Sequence, residues 1–390
     1  MVTTNPAVGR SGPNPLAALR EEVARRRAAG QPLIDLSIGD PDEPTPEPIR
    51  DALRSAVGPV SSYPTGLGQE ATRRAVADFV ARRHGVRVDP ATQVLPTSGS
   101  KEAIFHLPFA FIDPSGDRRT VVWGTPGYPT YARGARYAGG APHAVLLTEE
   151  QGWRLDLADL DDELLARTCI AWLGYPHNPT GATVDRAYLR DQLDVARAHD
   201  ILLCSDECYQ ELWFDEPAPS LLEVAGEDAA GSIAVLSLSK RSGMTGYRSG
   251  AIVGDPALVA RLRMLREDTG TASPDFVQAA AQAAWSDDAH VAERRAIFAA
   301  KRDVVLAGIE QLGLRWSGSL ATFYVWVAAP GDDLAYATSL LDAGLVVTPG
   351  RAFGAGGEGW IRLALVPDVD GCREAMERWI SAERAGTLRG

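Results

Sequence analysis

The chain has almost no lysine. Of 39 basic residues in 390, only Lys101, Lys240 and Lys301 are lysines, which leaves 39 − 3 = 36 arginines. Arginine therefore carries the surface charge. A lysine that persists is a candidate for amine or imine chemistry, which the permanently protonated guanidinium cannot perform. Cysteine is scarce as well. Cys169, Cys204, Cys208 and Cys372 show neither metal-ligand spacing nor the density of a disulfide-stapled secreted domain. Positive charge is in deficit: 39 Lys and Arg against 51 Asp and Glu give a formal net charge of −12, which argues against a broad nucleic-acid face. No uncharged apolar run is long enough to span a bilayer. Residues 1–30 lack the apolar stretch of a signal peptide, and Glu21 and Glu22 interrupt their arginines. What remains is 45% hydrophobic and 23% charged, an ordinary globular composition at a length that predicts about two or three domains. The expectation is a cytoplasmic enzyme with no membrane and no nucleic-acid partner.

Apolar, β-branched runs at 120–123, 169–173, 201–204, 233–236 and 250–253 read as strands covered on both faces. Helical stretches lie between them, among them 186–198 with Leu189, Leu193 and Ala196 at helical spacing. Such alternation predicts an α/β fold with a mostly parallel central sheet. After Pro274 the pattern changes to a helical stretch at 275–312. Strand 322–327, helix 333–343, strands 345–348 and 360–365, and helix 371–382 follow, as in a smaller α+β domain. The boundaries expected are a large domain over 46–285, with 1–45 and 286–390 forming an N-terminal arm plus the small domain. The Pro- and Gly-containing stretch 5–15 reads as an arm free to lie on a partner subunit.

The chemistry concentrates after the apolar runs. Ser237-Leu238-Ser239-Lys240-Arg241-Ser242-Gly243 follows a strand directly, and Arg248 stands eight residues after Lys240. Hydroxyls, glycines, a lysine and an arginine at the carboxyl end of a strand suit a phosphate bound beside an amine nucleophile. Ser98-Gly99-Ser100-Lys101 opens a helix, where free N–H groups and the positive dipole end favour phosphate. Asp206, in Ser205-Asp206-Glu207-Cys208-Tyr209, is a carboxylate at a buried strand end and needs a cationic partner.

Taken in order, these segments resemble the class I and II aminotransferases, pyridoxal-phosphate enzymes of the aspartate aminotransferase fold. The resemblance runs from Leu36 to about Leu365. It implies the type I PLP-dependent transferase fold, a pyridoxal 5'-phosphate cofactor, and a homodimer with shared active sites acting on amino-acid and 2-oxo-acid substrates. By resemblance, Lys240 binds the cofactor as a Schiff base and acts as general base. Asp206 pairs with the pyridinium nitrogen, and Tyr209 and Asn178 (in Asn178-Pro179-Thr180-Gly181) meet the 3-oxygen. Tyr128 stacks on the ring, while Gly99, Ser100, Lys101, Ser237, Ser239 and Arg248 hold the phosphate. Arg362 binds the substrate α-carboxylate, Asn178 also contacts the substrate, the backbone of Gly39 (in Leu36-Ser37-Ile38-Gly39-Asp40-Pro41) approaches it, and Tyr63 is donated to the neighbouring subunit's phosphate.

The Ser205 to Glu211 stretch, the Leu238 to Ser242 stretch and Asp287-Asp288-Ala289-His290 look most like the succinyldiaminopimelate aminotransferase branch, with Gly243 where a polar residue is expected. The reaction expected is transfer of an α-amino group between an amino acid, such as N-succinyl-LL-diaminopimelate, and a 2-oxo acid such as 2-oxoglutarate. Lyases, cyclising or replacement enzymes and amino-acid oxidases reuse the same motifs, so they stand as the alternative. For an acidic substrate side chain a second arginine is required, with Arg133, Arg241, Arg263 and Arg351 among the candidates. His177 is as consistent with a structural role as with a substrate contact.

Overall fold

The computed structural model describes residues 5–8 and 17–389, so most of the arm expected over 5–15 lies outside the described residues. Strands are numbered β1 to β13 in chain order. The largest sheet consists of β2 (Val94–Thr97), β3 (Thr120–Thr125), β4 (Ala141–Leu146), β5 (Thr168–Leu173), β6 (Leu202–Asp206), β7 (Ser232–Ser237) and β8 (Gly250–Gly254). Their spatial order is β2-β8-β7-β6-β5-β3-β4. β8 is antiparallel to β2 and β7, and every other neighbouring pair is parallel. All strands but β8 therefore point the same way, as the alternation of apolar runs and helices predicts.

The apolar runs are continuous because both faces are covered. Val121, Ile170, Leu202, Ile233 and Ile252 pack on one side. Their alternating neighbours Val122, Ala171, Leu203, Ala234 and Val253 pack on the other. The helix Arg186–Ala198 begins where Asp185 accepts a hydrogen bond from the Tyr188 N–H at 2.8 Å, an N-cap, and it buries Leu189, Leu193 and Ala196 as their spacing predicts. β4 escapes a sequence reading because it is an edge strand with an exposed face, carrying Pro142 and His143 instead of an apolar run.

A second, antiparallel sheet has the order β12 (Thr348–Pro349), β13 (Trp360–Ala364), β10 (Tyr324–Ala328), β9 (Trp316–Ser317). Beside it β1 (Ile34–Asp35) pairs in parallel with β11 (Leu345–Val346). Leu36, Phe298, Val305, Leu340 and Trp379 share the core of this region. Two expectations need correction. The helical stretch 275–312 is two helices, Asp275–Ser286 and Ala289–Gln311, broken at Asp287 and Asp288. The strand expected at 345–348 is split between β11 and β12, which belong to different sheets. No described helix is long and apolar enough to cross a membrane.

Candidate active site

Because β2, β3, β5, β6 and β7 point the same way, their carboxyl ends meet along one edge of the sheet, where open α/β sheets bind ligands. The residues just beyond those ends surround a cavity of about 910 Å³. Ser100 and Lys101 come from the start of the helix after β2, Tyr128 follows β3, Asn178 follows β5, Asp206 and Tyr209 end or follow β6, and Ser239 and Lys240 follow β7. Gly39, Arg248 and Arg362 complete the set. Three expected residues do not line it. Gly99 is the N-cap of the helix Ser100–Phe111, with the Arg248 guanidinium lying against it. Ser237 turns its hydroxyl to the Ser239 N–H at 3.1 Å and so caps the short helix that carries Lys240. Tyr63 is fully exposed and stands outside the cavity.

Asp206 is buried, and among the described residues no cation pairs with it. Its carboxylate accepts from the Tyr131 hydroxyl at 2.8 Å and from the Cys208 N–H at 3.2 Å. Burial pushes the Asp206 carboxyl up, against the pull of those donors. Tyr131 in turn stacks on Trp172 with ring centroids 5.0 Å apart. Lys240 donates to the Gly39 carbonyl, and burial pushes its amine down to about 8, with Asp40 opposing. Arg362 donates to Asn178 Oδ1 at 2.9 Å and to the Ser37 carbonyl at 2.6 Å, with its guanidinium 4.2 Å from the centre of the Tyr324 ring. Residue 39 has no room for a side chain, since a Cβ there would collide with the Tyr324 hydroxyl.

The turn after Lys240 is braced from the helix start at Ala289. Arg241 is fully buried against Phe79 and Trp285, and donates to the Ala284 carbonyl and to Asp288, each at 2.6 Å. His290 Nε2 lies 2.9 Å from Ser242 Oγ, and its Nδ1 lies 2.7 Å from Asp287 Oδ2. This Asp–His–Ser chain has the connectivity of a nucleophilic triad. Ser242, however, is fully buried and away from the cavity, so the chain holds a turn in place. Gly243 stands where a polar residue is expected, and its φ of +64° lies in the left-handed region that favours glycine. The Asp287 to His290 motif thus positions the lysine turn.

None of the four arginines named as candidates for a side-chain contact lines the cavity. Arg241 is structural, Arg351 pairs with Asp332 and Asp333, and Arg263 pairs with Glu267. Arg133 borders a separate, smaller pocket with His106. The cavity instead takes Arg20 and Arg27 from the helix Ala17–Ala28, where their spacing of seven puts both on one face with Val23 and Ala24. That helix is so rich in charge that no residue in it stands out in sequence. Tyr131 and Tyr324 are further site residues that the motifs do not reveal. A second tyrosine three residues after Tyr128, at helical spacing, is the available signal for Tyr131, whereas nothing marks Tyr324 within its strand. His177 is buried in the cavity wall with Nδ1 2.8 Å from Thr180 Oγ1, and burial lowers its imidazole to about 3.

Residues 31–378 match the model of the family described as aminotransferase class I and II. An LL-diaminopimelate aminotransferase of Desulforudis audaxviator is 40% identical over 369 residues, 93% of each chain. Among solved structures, a double mutant of Thermus thermophilus aspartate aminotransferase superposes with a TM-score of 0.90 at 29% identity, covering 98% of this chain and 100% of that one. A probable N-succinyldiaminopimelate aminotransferase, also from Thermus thermophilus, does so with a TM-score of 0.87 at 29% identity, over 94% of this chain and 99% of that one. The succinyl branch expected from the motifs is therefore present among structural neighbours, while the relative at 40% identity bears the unacylated name. The chain belongs to the class I and II aminotransferases and is an enzyme of the type I fold that transfers amino groups with pyridoxal 5'-phosphate as its cofactor.

Proposed function

We propose that the enzyme exchanges an amino group between a 2-oxo acid and an α-amino acid whose far end is itself an amino acid, the diaminopimelate class. The observation that carries this reading is the mixed charge of the cavity's outer wall. Arg20, Arg27, Asp35 and Asp40 line the same space as Lys240 and Arg362. Arg27 and Asp35 pair with each other, which leaves Arg20 and Asp40 facing whatever the α-carboxylate end does not occupy. No residue before Arg20 in the chain is acidic, and no acidic partner of Arg20 occurs among the described residues. A zwitterionic far end offers a carboxylate to Arg20 and an ammonium to Asp40. An N-succinylated far end offers only negative charge. The name of the 40% identical relative points the same way.

Pyridoxal phosphate, when bound, supplies an aldehyde that condenses with amines and a pyridine ring that takes up the electron pair released at the amino acid's α-carbon. The residues present fit it, since Asp206 is a buried carboxylate with no cation beside it among the described residues and a pyridinium nitrogen is such a cation. Tyr131 and the Cys208 N–H aim that carboxylate. The helix N-terminus at Ser100 and Lys101, with Ser239 and Arg248, would hold the phosphate. Tyr128 would cover the ring, and Tyr209 and Asn178 would meet the 3-oxygen. Arg362 binds the α-carboxylate through its planar guanidinium, which Ser37 and Asn178 already orient. Lys240 would bind the aldehyde carbon and, once displaced by substrate, carry the α-proton as general base. Its lowered basicity leaves more of the amine unprotonated near neutrality than an exposed lysine has. Tyr63, exposed and not part of this cavity's lining, supports a homodimer in which it serves the neighbouring subunit.

The test is a single-substrate reaction followed by the cofactor's visible absorbance. LL-diaminopimelate should convert the band faster than its N-succinyl derivative at equal concentration. The reverse order would reject the zwitterionic far end. Conversion by glutamate with none by either diaminopimelate would reject the diaminopimelate class.

A further inference from the structure

Tyr324 belongs to none of the roles above, yet it touches three of the groups that hold them. It lies on β10, next to β13, with Trp326 directly opposite Arg362. Two residues along the same face, Tyr324 is the diagonal neighbour of Arg362, which puts its ring under the guanidinium at 4.2 Å. Its hydroxyl lies 3.0 Å from the Tyr209 hydroxyl and fills the space that a side chain at Gly39 would need. The residue is 4% exposed, so the contacts are fixed by packing. Each phenol has one proton to donate. If Tyr209 donated to Tyr324, it would have none for the 3-oxygen of the cofactor. The pair serves that oxygen in one direction only, Tyr324 donating to Tyr209 and Tyr209 to the cofactor.

We propose that Tyr324 is a positioning residue for amino-group transfer: its hydroxyl turns the Tyr209 proton onto the cofactor's 3-oxygen, and its ring seats Arg362. The inference rests on the placement of Tyr209 at that oxygen. A chain of two hydrogen bonds polarises the second donor. Tyr209 then draws more negative charge from the 3-oxygen, and that oxygen holds less tightly the proton it shares with the nitrogen of Lys240. Losing the Tyr324 hydroxyl reverses this and raises the pH at which that proton leaves.

The experiment titrates the visible absorbance of the holoenzyme and of its Tyr324→Phe, Tyr209→Phe and doubly substituted forms. The midpoint should rise by about 0.5 pH unit in Tyr324→Phe and by more in Tyr209→Phe. The double form should match Tyr209→Phe, because the first hydroxyl acts through the second. KM for the amino acid should hold in Tyr324→Phe, which keeps the ring, and rise in Tyr324→Leu, which loses it. An unshifted Tyr324→Phe beside a shifted Tyr209→Phe overturns the inference and leaves the proposed function standing. Unshifted midpoints in both overturn it together with the placement of Tyr209. A further rise in the double form over Tyr209→Phe also overturns it.

Discussion

At the inner end of the cavity, Ser100, Asp206, Ser239 and Lys240 project from strand ends and the first residues of helices, each held by a backbone that the sheet fixes. At the outer end, Arg20 and Arg27 project from a solvent-exposed helix, and Asp40 from the loop after β1. The inner groups are buried, and their charges have been brought away from water, so each needs a defined partner. The outer groups keep much of their hydration, and each contributes less to any one contact. A cofactor that must be held in one orientation suits the first environment. A substrate whose far end must enter and leave suits the second. Substitutions at the two ends should therefore differ in size and in kind.

The largest effect is expected at Lys240. In its proposed roles Lys240 is both the amine that binds the cofactor and the general base, so with Lys240→Ala turnover should fall on the order of 10⁴-fold or more in a steady-state assay. Turnover near that of the parent enzyme would remove Lys240 from the centre of the site. The same amine sets a pH dependence. Burial holds it at about 8, so below that pH it is protonated and unreactive toward an aldehyde. Uptake of pyridoxal phosphate by the cofactor-free protein should slow by about tenfold for each unit of pH below 8 and level off above it. A midpoint at the ordinary lysine value near 10.4 would mean that burial does not act on this amine.

Gly39 lies where the two ends meet. Gly39→Ala forces a Cβ against the Tyr324 hydroxyl, so either the loop 37–40 or the tyrosine must move. Overpacking of this kind costs about 1–3 kcal/mol. Because Ser37 O orients Arg362, the amino-acid KM should rise roughly tenfold while cofactor affinity changes little. Equal losses in both would show that the ends are mechanically one unit.

The inner end is legible in the sequence because each of its motifs is a strand end plus the turn that follows, a few residues in a row whose chemistry is visible together. Lys240, Asp206 and Asn178 can be read this way, and the cavity brings them together. Helix Arg186–Ala198 is legible for a related reason, a local repeat with a cap. Tyr324 is not, because strand alternation says which side a residue faces and nothing of what its tip meets across the fold. Tyr131 hides in the same way, as an aromatic indistinguishable from core until Asp206 is beside it. The break at Asp287 is lost because the apolar repeat resumes after it, and only the contacts of Asp288 with Arg241 and of His290 with Ser242 show why the helix stops there.

Arg20 carries the smallest expected effect and the sharpest test of the comparison. Its charge is exposed, and an exposed ion pair is worth about 0.2–1 kcal/mol, so Arg20→Ala should lower kcat/KM for a diaminopimelate by no more than about fivefold. The change should fall on KM, since the contact is made equally before and during reaction. It should vanish for alanine, which has no far end to reach the helix Ala17–Ala28, and it should shrink as salt is raised. A loss that is large, or that is the same for alanine, would mean that this helix acts on the inner groups and that the outer wall does not select the substrate.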